Sequence, residues 1–283
     1  MIMAGFETQS DGRGAAMTDG RGAAMDGGAS VRSARWQALQ AAYEGVTGQA
    51  LLELMIKQEF PGEIAVVSSF GAESAVLLHM VSEVDPTVPV IFLNTGKLFG
   101  ETLRYRDRLQ ERLGLTDVRA VGPLPGDLAA RDPEGGLWNS DPNGCCFIRK
   151  VLPLERALAD FKASITGRKR FQTSARAALP AIEEEAARGT GAPGDAVARA
   201  GAGATRFKIN PLSQWDLAAL NRYIDRERLP RHPLVKDGYL SIGCMPCTER
   251  VPEGGGYRDG RWAGRDKDEC GIHLPINQDG DGI

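Results

Sequence analysis

Between Val31 and Phe60 the apolar residues recur every three to four positions: Trp36, Leu39, Ala42, Tyr43 and Val46, then Leu51, Leu52, Leu54 and Met55. That period predicts helix. The pattern then changes. Glu63–Ser69, EIAVVSS, is a short apolar run that reads as a buried strand, followed by a glycine turn and a helical SAVLLHMVSEV. TVPVIFLN reads as a second strand, and GETLRYRDRLQERLG as a helix that Gly114 can end. DVRAVG predicts a third strand, RKVLPLERALADF a helix, and KASIT a fourth strand; RFKINPL and DLAALNRYIDRERL add a strand and a helix further on. Strands alternating with helices predict an α/β fold, a doubly wound and mostly parallel sheet covered on both faces.

The pattern lapses in three places. The first thirty residues are rich in Gly, Ala, Ser and Asp and hold a near-repeat, DGRGAAM, at Asp11–Met17 and again at Asp19–Met25. Such composition cannot bury a core, so residues 1–30 are expected to form a disordered arm. Glu184–Thr205 is Ala/Gly-rich and reads as a mobile surface insertion. From Pro230 onward Gly and Pro are frequent, which predicts an irregular tail; it carries three of the five cysteines.

The totals narrow the function classes. A chain of 283 residues suits one α/β domain with decorations, and 42% hydrophobic residues allow a sizeable core. A formal net charge of -3 argues against nonspecific nucleic-acid binding, while local basic clusters still suit a small anion. No apolar run is long enough for a membrane span, and the N-terminus lacks the apolar core of a signal peptide. The expected compartment is the cytoplasm, where cysteines serve as metal ligands or redox catalysts rather than structural disulfides.

Candidate chemistry gathers at the predicted strand ends. SSFGAES (Ser68–Ser74) joins a buried strand to a helix, so its backbone N–H groups and the hydroxyls of Ser68, Ser69 and Ser74 can cradle an anion; an ordinary strand–helix turn is the plain alternative. LNTGKLFGET (Leu93–Thr102) ends the second strand, and ligands of doubly wound sheets sit beyond such ends; simple capping by Asn94 or Thr95 is the alternative. TGRKRFQTSAR follows the fourth strand and would bring Arg168, Lys169, Arg170 and Arg176 to the same crevice, unless they form a solvated charged face. Cys145-Cys146 and Cys244-x-x-Cys247 supply four thiolates, the number that one [4Fe-4S] cluster takes; a four-cysteine zinc site is the rival. Cys270 is left over, between acidic Asp268-Glu269 and Gly271-Ile272-His273, as an exposed bystander or a nucleophile on a moving tail.

Taken together, SSFGAES, LNTGKLFGET, CCFIRKVLPL, ITGRKRFQTSAR, INPLSQW, GYLSIGCMPCT, GRW and ECGIH resemble assimilatory adenosine 5'-phosphosulfate (APS) reductases of the phosphoadenosine-phosphosulfate reductase family, in family order from Ser68 to His273. The resemblance implies an adenine-nucleotide α-hydrolase-like sheet of PP-loop type. It implies an α/β domain over 31–250 with the iron–sulfur site, and a mobile tail over 251–283 carrying the catalytic cysteine. It also implies that Cys270 attacks the sulfur of APS, releases AMP and becomes an S-sulfocysteine, from which reduced thioredoxin or glutaredoxin frees sulfite. By the same resemblance Cys145, Cys146, Cys244 and Cys247 ligate a [4Fe-4S] cluster that does not itself pass electrons, and Lys150 links cluster to substrate. Ser68, Ser69, Phe70, Gly71, Leu93, Thr95 and Gly96 would bind the nucleotide, with Arg170, Arg176, Arg258 and Arg261 on the substrate and His273 pinning the closed tail.

Three positions depart from that family pattern: Asn94 replaces the usual Asp, GRKR is more basic than usual, and the Ala/Gly stretch is long. Reduction of the 3'-phosphorylated nucleotide PAPS, alone or beside APS, is the nearest alternative, and Arg168 and Lys169 would favour it. An ATP pyrophosphatase or adenylyltransferase on the same fold, and a non-enzymatic redox sensor, are further ones. A homo-oligomer is compatible with the sequence, which leaves oligomeric state open.

Overall fold

The computed structural model describes residues 33–186, 205–265, 267 and 269–273. The predicted arm (1–30), most of the predicted insertion and the last ten residues lie outside them.

Six strands form one sheet: β1 (Ile64–Ser68), β2 (Val90–Leu93), β3 (Val118–Val121), β4 (Ala163–Thr166), β5 (Ile182–Ala186) and β6 (Thr205–Ile209). Their order is β3-β2-β1-β4-β6-β5, all parallel except β5, which runs antiparallel to β6. The chain winds outward from β1 through β2 to β3, then returns beside β1 with β4. The gap between the carboxyl ends of β1 and β4 is therefore a topological switch point, where such sheets bind ligands.

Alternation along the strands sorts the two faces. Ile64, Val66, Val90, Phe92, Ala163, Ile165, Phe207 and Ile209 point into the larger core. There they meet α1 (Ala34–Ala42), α2 (Gly48–Leu54), α3 (Ser74–Val84), α4 (Gly100–Leu113) and, at the chain's other end, the helix Leu217–Arg226. Ala65, Ile91 and Leu93 face the opposite side and pack on Leu154 and Leu158. That second face turns ionic towards the edge. Arg206 and Lys208 of β6 meet Glu185 of β5, and Arg206 also holds Glu155.

The helical stretch predicted over Val31–Phe60 is interrupted. Residues 43–47 turn between α1 and α2, with Gly45 at φ 75°, and the second helix ends in a wide π-type turn, Met55–Glu59. α4 stops at Gly114 in the left-handed conformation (φ 63°), as its sequence suggested. The chain between β3 and β4 forms α5 (Pro125–Arg131), α6 (Leu137–Ser140), α7 (Pro142–Cys146) and α8 (Leu152–Ala157), with a π-type turn at Phe147–Val151. Pro153 has no N–H to give the carbonyl four residues back. The adjoining ladder widens, and Leu152 N–H bonds Phe147, five residues behind. The helix Leu217–Arg226 is α9. After it the helical elements among the described residues are short 3₁₀ turns.

Candidate active site

The turn leaving β1 is held open by one strained residue. Phe70 is fully buried at φ 48°, its ring edge-on to Phe92 at 5.3 Å, and its N–H donates to Ser68 Oγ at 3.2 Å. A side chain at Gly71 would come within 3.2 Å of the Ile242 carbonyl, so the turn and the C-terminal segment touch backbone to backbone here. The turn's backbone and the N-terminus of α3 face the space beyond the sheet.

The turn leaving β2 closes on itself. Gly96 N–H donates to Asn94 Oδ1 and Lys97 N–H to Thr95 Oγ1, both at 3.2 Å. Thr95 is buried, and its hydroxyl lies 3.3 Å from Cys244 Sγ. Its carbonyl accepts from Arg149 (2.9 Å), which in turn pairs with buried Asp132 at 2.6 Å. The β2 turn and the cysteine segments are thus fastened to one another.

A crevice of about 190 Å³ opens at the switch point. Of the residues selected from sequence, Ser68, Ser69, Gly71, Leu93, Thr95, Lys150, Arg176, Arg258, Arg261, Cys270 and His273 line it. Phe70, Gly96 and Arg170 do not. Phe70 and Gly96 shape the turns behind the wall. Arg170 is exposed, with its Nε–H on the Leu179 carbonyl at 2.9 Å.

Arg168 and Lys169 do reach the crevice, but each is already matched. Lys169 is buried against Glu73, which also accepts from Gln172, and Arg168 pairs with Glu183 and bonds Asn210 at 3.1 Å. Glu73 also receives the Tyr257 hydroxyl; burial first, and then the Glu73 charge, push that phenol well above its ordinary value. Glu73, Tyr257 and Trp262 were not singled out from sequence, and Glu269 only as an acidic neighbour of Cys270. Glu73 stands inside SSFGAES and Trp262 inside GRW, yet nothing local marks them as wall residues.

The tail lies docked. Glu269 is buried on Arg176, and Ile272 joins the apolar cluster of Leu93, Leu154 and Leu158. Cys270, between them, faces the crevice within electrostatic reach of Lys150 and Arg258. The acidic charge of Glu269, which the sequence places beside the thiol, is thus spent on a guanidinium. Burial, reinforced by Arg168, Arg176, Lys208 and Arg258, holds His273 well below its ordinary value, so its ring is neutral at pH 7. Arg261 stacks 4.3 Å over the Trp262 ring and donates to the Cys247 carbonyl at 3.2 Å.

Cys145, Cys146, Cys244 and Cys247 line one small cavity beside Lys150, Arg149 and Lys97. None is in a disulfide. Burial, and then the Cys146 charge, push the Cys145 thiol up to about 11, and burial likewise raises Cys146 and Cys247. Cys244 is the exception. Burial works against it, but Lys150, the Thr95 hydroxyl and Arg261 outweigh that and hold its thiol low. Among the described residues no group of three or more His, Cys, Asp or Glu side chains is arranged to hold a metal ion.

Comparison with known proteins shows the family of the chain. Residues 63–250 match the phosphoadenosine phosphosulfate reductase domain. The chain belongs to this family. An adenosine 5'-phosphosulfate reductase of Mesorhizobium japonicum is 47% identical over 242 residues, 86% of this chain and 88% of its own. One from Salinibacter ruber is 38% identical over 88% of this chain and 92% of its own. Among solved structures, a phosphoadenylyl-sulfate (PAPS) reductase from Candida auris, in complex with phosphate, superposes with a TM-score of 0.61 at 26% identity, over 78% of this chain and 98% of its own. The family's PP-loop-type nucleotide-binding fold matches the sheet described above. Among the described residues no helix is long and apolar enough to cross a membrane.

Proposed function

We propose that the protein reduces adenosine 5'-phosphosulfate to sulfite and AMP, with Cys270 as the nucleophile. The observation that carries the reading is the meeting of Cys270 with the strand-end turns and with Lys150, Arg258 and Arg261 in one crevice at the switch point. Relatives named adenosine 5'-phosphosulfate reductase at up to 47% identity support the substrate.

The chemistry follows from the wall. The turn after β1 presents backbone N–H groups and the Ser68 and Ser69 hydroxyls to the nucleotide phosphate. Lys150, Arg258 and Arg261 face the sulfate, where negative charge redistributes as the bond to the leaving phosphate breaks. The Cys270 thiolate attacks sulfur, the S–O bond to the phosphate opens, and AMP departs with the electron pair. Cys270 then carries an S-sulfo group. A dithiol protein of thioredoxin or glutaredoxin type attacks the Cys270 sulfur, sulfite leaves with the bonding pair, and the second thiol resolves the mixed disulfide. The two electrons come from that dithiol.

The cysteine quartet fits a [4Fe-4S] group. All four donors are thiols that meet in one cavity, and a metal that binds thiolates would displace their protons. A cluster of this type takes four cysteine thiolates, the number that meets here. When bound, such a group would be held by the thiolates of Cys145, Cys146, Cys244 and Cys247 beside Lys150, whose ammonium would balance the net negative charge of a thiolate-ligated cluster. Arg168 and Lys169, the two cations that would favour a 3'-phosphate, are each matched by a carboxylate, which supports APS over PAPS.

The test is intact mass after mixing the iron-loaded protein with APS, without reductant, beside a PAPS sample. A sulfo-sized gain on Cys270, absent in Cys270→Ser and removed by thioredoxin, is expected with APS. A gain with both nucleotides would mean dual use, and none with either would overturn the reading.

A further inference from the structure

Glu269 has more partners than a residue on a C-terminal tail needs. Its side chain is 5% exposed. Arg176 Nη2 donates to Oε2 at 2.6 Å, Arg176 Nε lies 2.6 Å from Oε1, and the Thr173 hydroxyl donates to Oε1 at 3.3 Å. Arg258 Nη2 stands 3.9 Å from Oε2. Arg176 Nη1 is engaged by Gln172. The Nε–Nη2 edge is the one a guanidinium turns to an oxyanion, and on Arg176 a carboxylate of the same chain lies along it, hydrogen-bonded through Nη2.

The residue that follows Glu269 is the nucleophile. On its other side Gly271 packs so tightly on Val151 that an added Cβ would sit 3.3 Å from a methyl group, and Ile272 enters the apolar cluster. Cys270 is therefore suspended between an ionic contact and an apolar one. The apolar contact is diffuse. The ionic one has a single geometry and fixes where the thiol points.

We propose that Glu269 is the latch of the tail: it seats Cys270 in the crevice by engaging Arg176, and Arg176 acts on the tail rather than on the nucleotide while the tail is docked. Glu269 is thus a positioning residue. The proposal takes its catalytic meaning from the reductase reading, but the latch itself does not depend on that reading. A buried pair suits the task, because losing either partner strands a charge and so favours the undocked tail.

The full-length, iron-loaded protein tests this without nucleotide. Iodoacetamide labelling of Cys270, followed by peptide mass, reads how often the tail is open. Glu269→Gln should label roughly tenfold faster, and Thr173→Val, which removes one hydroxyl and no charge, should shift in the same direction by less. Glu269→Asp should fall between Gln and wild type. With saturating APS, adduct formation by Glu269→Gln should slow by about tenfold while KM for the nucleotide stays within about twofold. Labelling of a folded Glu269→Gln protein at the wild-type rate would overturn the latch. So would a large rise in KM with the maximal rate kept, because Arg176 would then be a nucleotide ligand. Should Glu269→Gln fail to fold, Thr173→Val decides alone, and an unchanged labelling rate overturns the proposal. If wild type forms no adduct while Glu269→Gln still labels faster, the latch stands and the reductase reading falls.

Discussion

His232 shows how one buried side chain ties stability to pH. It is 1% exposed and packs edge-on against the Tyr105 ring at 4.8 Å. Its Nδ1 accepts from Leu234 N–H, so Nε2 carries the proton and donates to Thr102 at 3.1 Å. Burial, only partly offset by Glu101, lowers its pKa to about 4. Above pH 6.5 the ring is neutral folded or unfolded. As pH falls from 6.5 towards 4, the unfolded chain takes up a proton that the folded one refuses, and stability drops by at most about 3 kcal/mol. Urea unfolding at pH 7 and pH 4.5 should show a shallower fall for His232→Gln than for wild type. Gly243 lies against the Arg261 guanidinium. A Cβ there would lie 2.4 Å from Arg261 Nη2, the movable end of a flexible side chain. Gly243→Ala should therefore displace the guanidinium from the crevice, raising nucleotide KM by about tenfold. The melting temperature should stay close to wild type, and steady-state kinetics beside a thermal scan would check both.

At the scale of elements, the second face of the sheet changes character from α8 to the β5 edge. Arg206 reaches both oxygens of Glu155 at 2.9 and 3.1 Å and Glu185 at 3.3 Å, all three side chains largely out of water. Arg206→Ala removes the guanidinium that Glu155 and Glu185 share, while Lys208 still holds Glu185, and should cost about 3 kcal/mol in urea or thermal unfolding. Replacing the Arg206–Glu155 pair by Met and Leu should cost much less, since no charge is left alone. The same ion pairs explain why β5 was not legible. Ile-Glu-Glu-Glu-Ala has poor strand propensity, and its second half opens the Ala/Gly-rich stretch read as an insertion. What makes it a strand is β6. Glu183 and Glu185 are matched by Arg168, Arg206 and Lys208, so opposite charges replace the usual apolar alternation. The signal was the charge complement between two segments, which no single window contains. Strands β1, β2, β3, β4 and β6 were legible because their apolar runs are short and bounded by turn residues. Helices α5 to α7 were not, being too short to show a period.

For the whole molecule, the winding of the sheet explains how much of the site could be read in advance. Turns at strand ends were legible, because a doubly wound sheet gathers them at one edge whatever their detailed conformation. Which side chains from those turns face inward was not. Arg168 and Arg170 are two residues apart in one basic run, yet Arg168 is buried at the crevice and Arg170 is exposed. Nor could the sequence say that the acidic residue beside Cys270 would be neutralised from a segment roughly ninety positions earlier. Such pairings are decided by the packing of distant parts.

The pairing of β1 with β4 has one more consequence. It joins Ile64 to Ala163, about a hundred residues apart, and the ends of those two strands frame the crevice. Parallel neighbours of this kind cannot form by local zippering; the intervening chain must first be laid down and its ends brought together against conformational entropy. On the ribosome β2, β3 and the helices between them emerge before β4 exists to close the gap. The crevice at the switch point is therefore among the last parts of the molecule to take shape, and until then the apolar edge of β1 stands open to other chains.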